Sequence, residues 1–199
     1  MHKLNRNSVQ KPVCLKNYDW KYQIWDNLSG QDKKTVRLTL QSMQGQQSVD
    51  DTSDDEQFFI IGLRCAYCES MIYYGGHIEH FRRKNPMYFP HLTFEWTNLF
   101  IACRSSKHCG HYKDSPKAPP YHPDNLIKPD EHDPDDYLYF HSSGEVRVRN
   151  RDGMTDADRH RGEETIRVFN LNAPQLMGKR KRALEMFSQK MVYGRPHVI

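Results

Sequence analysis

The stretch RCAYCESMIYYGGHIEHF, residues 64–81, puts two cysteines, two histidines and a glutamate into one short run. Cys65 and Cys68 are separated by two residues, a spacing at which one tight turn presents both thiolates to a single metal ion. A second pair, Cys103 and Cys109, lies within CRSSKHCGHYKD (103–114). Two such turns brought face to face supply the four ligands of tetrahedral zinc, with Cys109 or its neighbour His108 as the fourth. A site closed by four protein ligands keeps no open position for substrate, so the expected zinc staples the fold and does not catalyse. His77 and His80 are then free for other work.

The bulk composition limits what surrounds this knot. The chain has 199 residues, 37% of them hydrophobic and 27% charged, with a mean hydropathy of −0.89. No apolar run approaches the roughly 20 residues of a membrane span, so no membrane partner is expected. An aromatic content of 12% argues against wholesale disorder. Five cysteines, an odd number, and an N-terminus (MHKLNRNSVQKPV) without an apolar signal core point away from a disulfide framework and towards a cytoplasmic protein. Cys14 stands alone and reads as a small buried thiol. The net charge of +4 hides an uneven distribution. An acidic block, VDDTSDDE (49–56), offsets basic clusters at Arg82-Arg83-Lys84 and Lys179-Arg180-Lys181-Arg182.

On the N-terminal side of the knot, Asp19 reads as the cap of a helix over DWKYQIWDNL (19–28), with Trp20, Ile24, Trp25 and Leu28 at helical spacing. A second helix is expected over 31–44, burying Val36, Leu40 and Met43 and stopping at Gly45. The polar 46–57 stretch reads as a mobile loop, and FFIIGL (58–63) as an extended run leading to the first cysteines. On the C-terminal side, the Pro-rich segment 115–134 runs as an extended wrap, and 136–141 with 145–150 forms a β-hairpin. Thr155, with Asp158 at capping-box distance, opens one helix. Asn172 and Pro174 open the last, with Leu176, Ala183, Leu184, Phe187 and Met191 on its inner face. The expected class is α+β: a zinc-stapled core over 58–115, an N-terminal helical segment over 1–57, and a C-terminal wrap, hairpin and helix pair over 116–199, packed as one domain.

Taken together, Cys65-x2-Cys68, Glu79-His80, Asn98-Leu99, Cys103 to Cys109 and Lys113 resemble the signature of the HNH endonucleases, the ββα-metal group. The words CAYCE, GHIEHFRRK, NLFIAC, HCGHYKD, HDPDDYLYF and ETIRVFNLN are similar to the PtuB-like branch, the effectors of Septu-type and retron-associated anti-phage systems. The resemblance runs from about residue 15 to about residue 188. It implies a ββα-metal core and hydrolysis of phosphodiester bonds in DNA or RNA. His80 would be the general base, and Asn98 would orient the loop that carries it. Glu79 and His111, with His108 as the alternative to His111, would hold a catalytic Mg²⁺ or Mn²⁺, and Arg82, Lys84 and Lys113 would meet phosphates. A PtuA-like ATPase is the implied partner. A base of ordinary pKa, near 6.5, would make cleavage climb between roughly pH 6 and 7.5. The chain departs from the pattern at Gly110, where relatives carry histidine or asparagine after the last cysteine, and at Arg83, where relatives carry proline. Neighbours on a strand point to opposite faces, so Glu79 and His80 share one site only where the strand ends or bends. The competing expectation is a zinc-knotted adaptor that binds nucleic acid or protein without catalysis.

Overall fold

In the computed structural model, which describes residues 1–49, 58–73 and 76–193, short elements are joined by long ordered connections. Helix α1, Gly30–Gln44, starts where the Ser29 side chain accepts the Asp32 N–H, buries Val36, Leu40 and Met43, and ends at Gly45. Strand β1 (Gln46–Val49) pairs antiparallel with β2 (Phe58–Ile61). The beginning of the stretch expected as a loop is therefore a strand, and residues 50–57 lie outside the described residues. Strand β3 (His77–His80) pairs antiparallel with β4 (Leu99–Ala102), His80 opposite Leu99, and the short helix α2 (Cys109–Lys113) follows. Strands β5 (Leu138–Phe140) and β6 (Val146–Val148) form the expected hairpin. Helices α3 (Asp156–Val168) and α4 (Pro174–Tyr193) close the chain. The class is α+β, with three two-stranded antiparallel sheets among the described residues.

Two expectations fail for local reasons. DWKYQIWDNL does not form an α-helix. Asp19 folds the backbone into a turn instead: its carbonyl accepts the N–H groups of Tyr22 (3.1 Å) and Gln23 (2.9 Å), and its Oδ1 accepts that of Lys21 (2.9 Å). Asn27 Oδ1 then accepts the Ile24 N–H at 2.7 Å and closes a 3-10 turn over Trp25–Asn27. Short polar side chains that bond their own backbone compete with helix in this way. The second failure is the inner face of α4. Leu176 is buried, but Ala183, Leu184 and Phe187 are exposed, Ala183 and Leu184 along an open groove that Met71, Tyr73 and Phe140 line from the other side. The Met191 side chain lies outside the described residues.

The other C-terminal features form as the sequence indicates. Thr155 and Asp158 make both bonds of the capping box. Segment 115–134 carries neither α-helix nor strand, and the Ile127 N–H donates to Thr165 Oγ1 at 2.8 Å, which ties the wrap to α3. The core gathers around a layer of Tyr67, Phe81, Phe100 and Phe169, with Tyr67 stacked on Phe169 at 4.2 Å. Every residue of β4 is buried, so the edge of that strand away from β3 needs partners. Gln44, at the end of α1, provides them. Its Oε1 accepts the Ile101 N–H (2.7 Å), and its Nε2 donates to the carbonyls of Ile101 (3.0 Å) and Arg64 (3.1 Å). Arg6 adds a cationic clamp, donating to Trp96 O (2.8 Å) and Leu99 O (2.9 Å) with its guanidinium over the Phe100 ring. Among the described residues no helix is long and apolar enough to cross a membrane.

Gln44→Ala is expected to lower stability by roughly 1–3 kcal/mol, since the buried Ile101 N–H of β4 loses its partner while Ile101 O keeps only the Ala66 N–H. Gln31→Ala, on the exposed first turn of the same helix, should stay within roughly 0.5 kcal/mol. Chemical denaturation midpoints make the comparison, and equal midpoints would remove Gln44 from this role.

Candidate metal centre and histidine cleft

The first cysteine turn is folded by its own backbone. Cys65 N–H donates to Ser70 O (3.0 Å), Glu69 N–H to Cys65 O (3.1 Å), and Ile72 N–H to Leu63 O (2.9 Å). Glu69 adopts the left-handed region, φ 61°, to let the chain reverse. The second turn ends at Cys109, also left-handed at φ 64°, whose N–H donates to Phe169 O at 2.8 Å. The end of α3 thus positions the fourth cysteine. The sulfurs of Cys65 and Cys109 stand 3.8 Å apart and those of Cys68 and Cys103 4.0 Å, and all four lie within 4.8 Å of one another. Tetrahedral zinc with 2.3 Å bonds would place its sulfurs about 3.8 Å apart, so this cage could hold a metal ion such as zinc. His108 Nδ1 lies 3.2 Å from Cys109 Sγ and 3.7 Å from Cys103 Sγ, beside a tetrahedron that the four sulfurs complete among themselves. Burial pushes the Cys65 and Cys109 thiols up, while hydrogen bonds from the other sulfurs draw Cys103 down to about 5 and Cys68 well below the usual thiol range. As four thiolates the sulfurs at this separation would need a cation between them, and binding one would release the protons of Cys65 and Cys109. Cys14, half-buried, is not part of the group.

Glu79 and Lys113 form a second buried assembly, between β3 and α2. Lys113 is fully buried; its Nζ lies 3.1 Å from Glu79 Oε1 and donates to His80 O (3.1 Å) and Asp114 Oδ1 (2.6 Å). His77 Nε2 lies 3.0 Å from Glu79 Oε2, and the His111 ring stacks on His77 at 3.9 Å. Burial alone would raise the Glu79 carboxyl, but the charge of Lys113 and the bond from His77 hold it at about 2. Burial likewise works against the Lys113 charge, and Glu79 and Asp114 more than offset it. The same assembly accounts for Gly110: a Cβ there would fall 2.2 Å from Glu79 Oε2. With this carboxylate in place, the residue after the last cysteine has to be glycine.

His80 leads to different neighbours. It is 5% exposed, its Nε2 lies 2.9 Å from Thr93 O, and its ring meets the edge of Trp25 at 4.6 Å. The bond to a carbonyl makes Nε2 the protonated nitrogen and leaves Nδ1 with its lone pair. His80 lines a cleft of about 620 Å³ shared with Trp20, Ile24, Trp25, Arg83, Lys84 and Tyr88. Asn98 braces the end of β3: its Oδ1 accepts the Arg82 N–H (2.7 Å), and its Nδ2 donates to Arg82 O (3.0 Å) and Leu92 O (3.1 Å). Burial, and after it the charge of Lys84, pushes His80 down to about 4. The expected rise in rate between pH 6 and 7.5 does not follow for such a group, which is already neutral at pH 6.

The basic residues separate as well. Arg82 pairs with Asp124 and lies over Phe89, turned towards the Pro-rich wrap. Lys113 is spent inside the protein and presents no charge to a phosphate at the surface. Lys84 lines the His80 cleft and has no ion-pair partner among the described residues. Arg83, Trp25 and Thr93 are cleft residues that the sequence did not assign to a site: Trp25 read as part of a helix face and Arg83 as part of a basic cluster. Arg83 bonds Asp114 Oδ1 (3.0 Å) between the rings of Tyr88 and Tyr121. Glu79 and His111 are thus brought to one cluster through His77, and His80, Asn98 and Lys84 to another side of β3. Compared with known proteins, the chain matches no family model, and no curated protein matches it.

The purified chain is expected to carry about one tightly held metal ion, lost together with the soluble fold in Cys65→Ser and Cys103→Ser, since the binding energy of such an ion is folding energy. His108→Ala should keep the ion. Elemental analysis decides, and a folded, metal-free wild type would overturn the cage. For His80, ring resonances followed by NMR should stay constant from pH 8 down to about 5. A midpoint near the ordinary histidine value would show the ring to be open to water.

Proposed function

We propose that this chain is a metal-dependent endonuclease of the HNH, ββα-metal kind, hydrolysing phosphodiester bonds in DNA or RNA, with a structural zinc in the four-cysteine cage. The observation that carries the reading is His80. Its ring sits at the floor of a cleft with Nε2 fixed by Thr93 O and Nδ1 unspent, at the end of a strand that pairs with the strand leading into the cage. A neutral imidazole so held can take a proton from water, Lys84 beside it can meet a phosphate, and Asn98 keeps the loop in place. In this reading Glu79 gives a divalent Mg²⁺ or Mn²⁺ its oxygen ligand and His111 a nitrogen, in competition with Lys113 for the carboxylate. The ion would supply charge stabilisation at the scissile phosphate. The resemblance adds the setting: a cytoplasmic anti-phage effector that works with a PtuA-like ATPase.

A zinc-knotted adaptor without catalysis is the second reading. The observation in its favour is that Glu79 and His80 lead to opposite sides of β3, with Glu79 locked between Lys113 and His77.

The two are separated by incubating plasmid DNA and total RNA with the protein, its ATPase partner and magnesium or manganese. His80→Ala should slow cleavage by a factor of about 10² to 10⁴ while keeping metal content and solubility. His77→Ala should retain its bound zinc and part of the activity. Cys68→Ala should lose fold and activity together. Nucleic acid left intact by the wild type, or cut equally by His80→Ala, would leave the adaptor.

A further inference from the structure

We propose that the mouth of the His80 cleft is a stacking subsite for an unpaired nucleobase, so that the chain takes a single-stranded or locally unpaired strand in preference to continuous duplex. The inference deepens the nuclease reading and rests on it.

Two features of the cleft carry it. The first is depth. His80 is 5% exposed, at the floor of a cavity of about 620 Å³, a volume suited to a nucleotide-sized guest. A strand must enter the cleft to bring a phosphate to Nδ1, and bases held in a stack of pairs cannot follow it in. The second is the composition of the mouth. Trp20 is 42% exposed and Tyr88 52%, and both line the cleft with Ile24. These rings are held in place. Trp20 stands on the turn that Asp19 bonds together, its ring centroid 6.2 Å from that of His91 at a steep angle of 71°. Tyr88 is braced by Arg83, whose guanidinium lies 5.2 Å from its centroid. Exposed aromatic faces on rigid supports bind bases whose own faces are open, which those of a duplex are not.

The charges agree with this occupant. Lys84 is exposed and without an ion-pair partner among the described residues. The two acidic residues of the cleft are Asp114, neutralised by Lys113 (2.6 Å) and Arg83 (3.0 Å), and Asp26, at the rim 3.9 Å from Lys33. A phosphate next to Lys84 would leave the neighbouring base within the aromatic mouth.

The test is fluorescence anisotropy on the full chain with its metal cage intact and no added magnesium or manganese. The probes are a short labelled oligonucleotide as single strand and as duplex, in ribo and deoxyribo forms. Both single strands are expected to bind about tenfold more tightly than their duplexes. Trp20→Leu and Tyr88→Leu should each weaken single-strand binding about fivefold or more, while Trp20→Phe stays near wild type. Leucine keeps the apolar volume and removes the ring face, and circular dichroism verifies that each variant is folded. Duplex bound as tightly as single strand, or Trp20→Leu bound as tightly as wild type, overturns the subsite. If duplex is then cut in a His80-dependent manner, the nuclease reading stands without it. Single strands bound through Trp20 but never cut support the subsite and overturn the nuclease reading.

Discussion

Four sulfurs within 4.8 Å of one another, a cage that could hold a metal ion such as zinc, bring together parts of the chain that are distant in sequence. Cys65 and Cys68 come from the turn after β2, Cys103 from the end of β4, and Cys109 from the start of α2, where the carbonyl of Phe169 at the end of α3 fixes it. The aromatic layer of Tyr67, Phe81, Phe100 and Phe169 lies close to the cage, at the centre of a core that extends from Val36 and Leu40 of α1 to Leu171 and Leu176. The cage also determines where the candidate site lies. It anchors β4, β4 sets the register of β3, and the register puts His80 opposite Leu99 with Asn98 just beyond the strand end.

Strand β3 then acts as a divider. On one side Glu79, between Lys113 and His77, forms a buried charge pair in which the carboxylate depends on the Lys113 cation, itself shared with Asp114. Its carboxylate occupies the space that a side chain at position 110 would need. On the other side His80 packs perpendicular to Trp25 and against Thr93 O, neutral because burial penalises its cation. The backbone connects the two sides: Lys113 Nζ donates to His80 O, so the charge pair behind the strand also holds the residue in front of it.

The cleft around His80 is assembled from distant parts of the chain. Trp20, Ile24 and Trp25 come from the N-terminal turns, Lys84 and Tyr88 from the loop after β3, and Asp114 and Pro116 from the end of α2. That the N-terminal segment is a bonded turn and not a helix matters here. A helix over 19–28 would gather Trp20, Ile24, Trp25 and Leu28 on one buried stripe. The turn buries Leu28, half-buries Trp25 and leaves Trp20 and Ile24 facing the cleft.

The sequence by itself determined what depends on residues near one another in the chain. The Cys65–Cys68 spacing, the Thr155–Asp158 box, the end of α1 at Gly45, the 138–148 hairpin and the Pro-rich wrap were all legible, because short-range geometry and backbone chemistry govern them. The pairing of the two cysteine turns was legible too, since four thiolates leave a metal few alternatives. What only the tertiary structure decided is which polar groups are buried and against what. Lys113 reads as a surface cation and proves to be the interior partner of Glu79; Gln44 reads as the end of a helix and proves to complete a strand edge; the apolar stripe of α4 reads as core and proves exposed at Ala183, Leu184 and Phe187. Periodicity records which residues share a face, but the cost of burying a charge or an amide depends on partners tens of residues away. Those partners come within reach only in the folded chain.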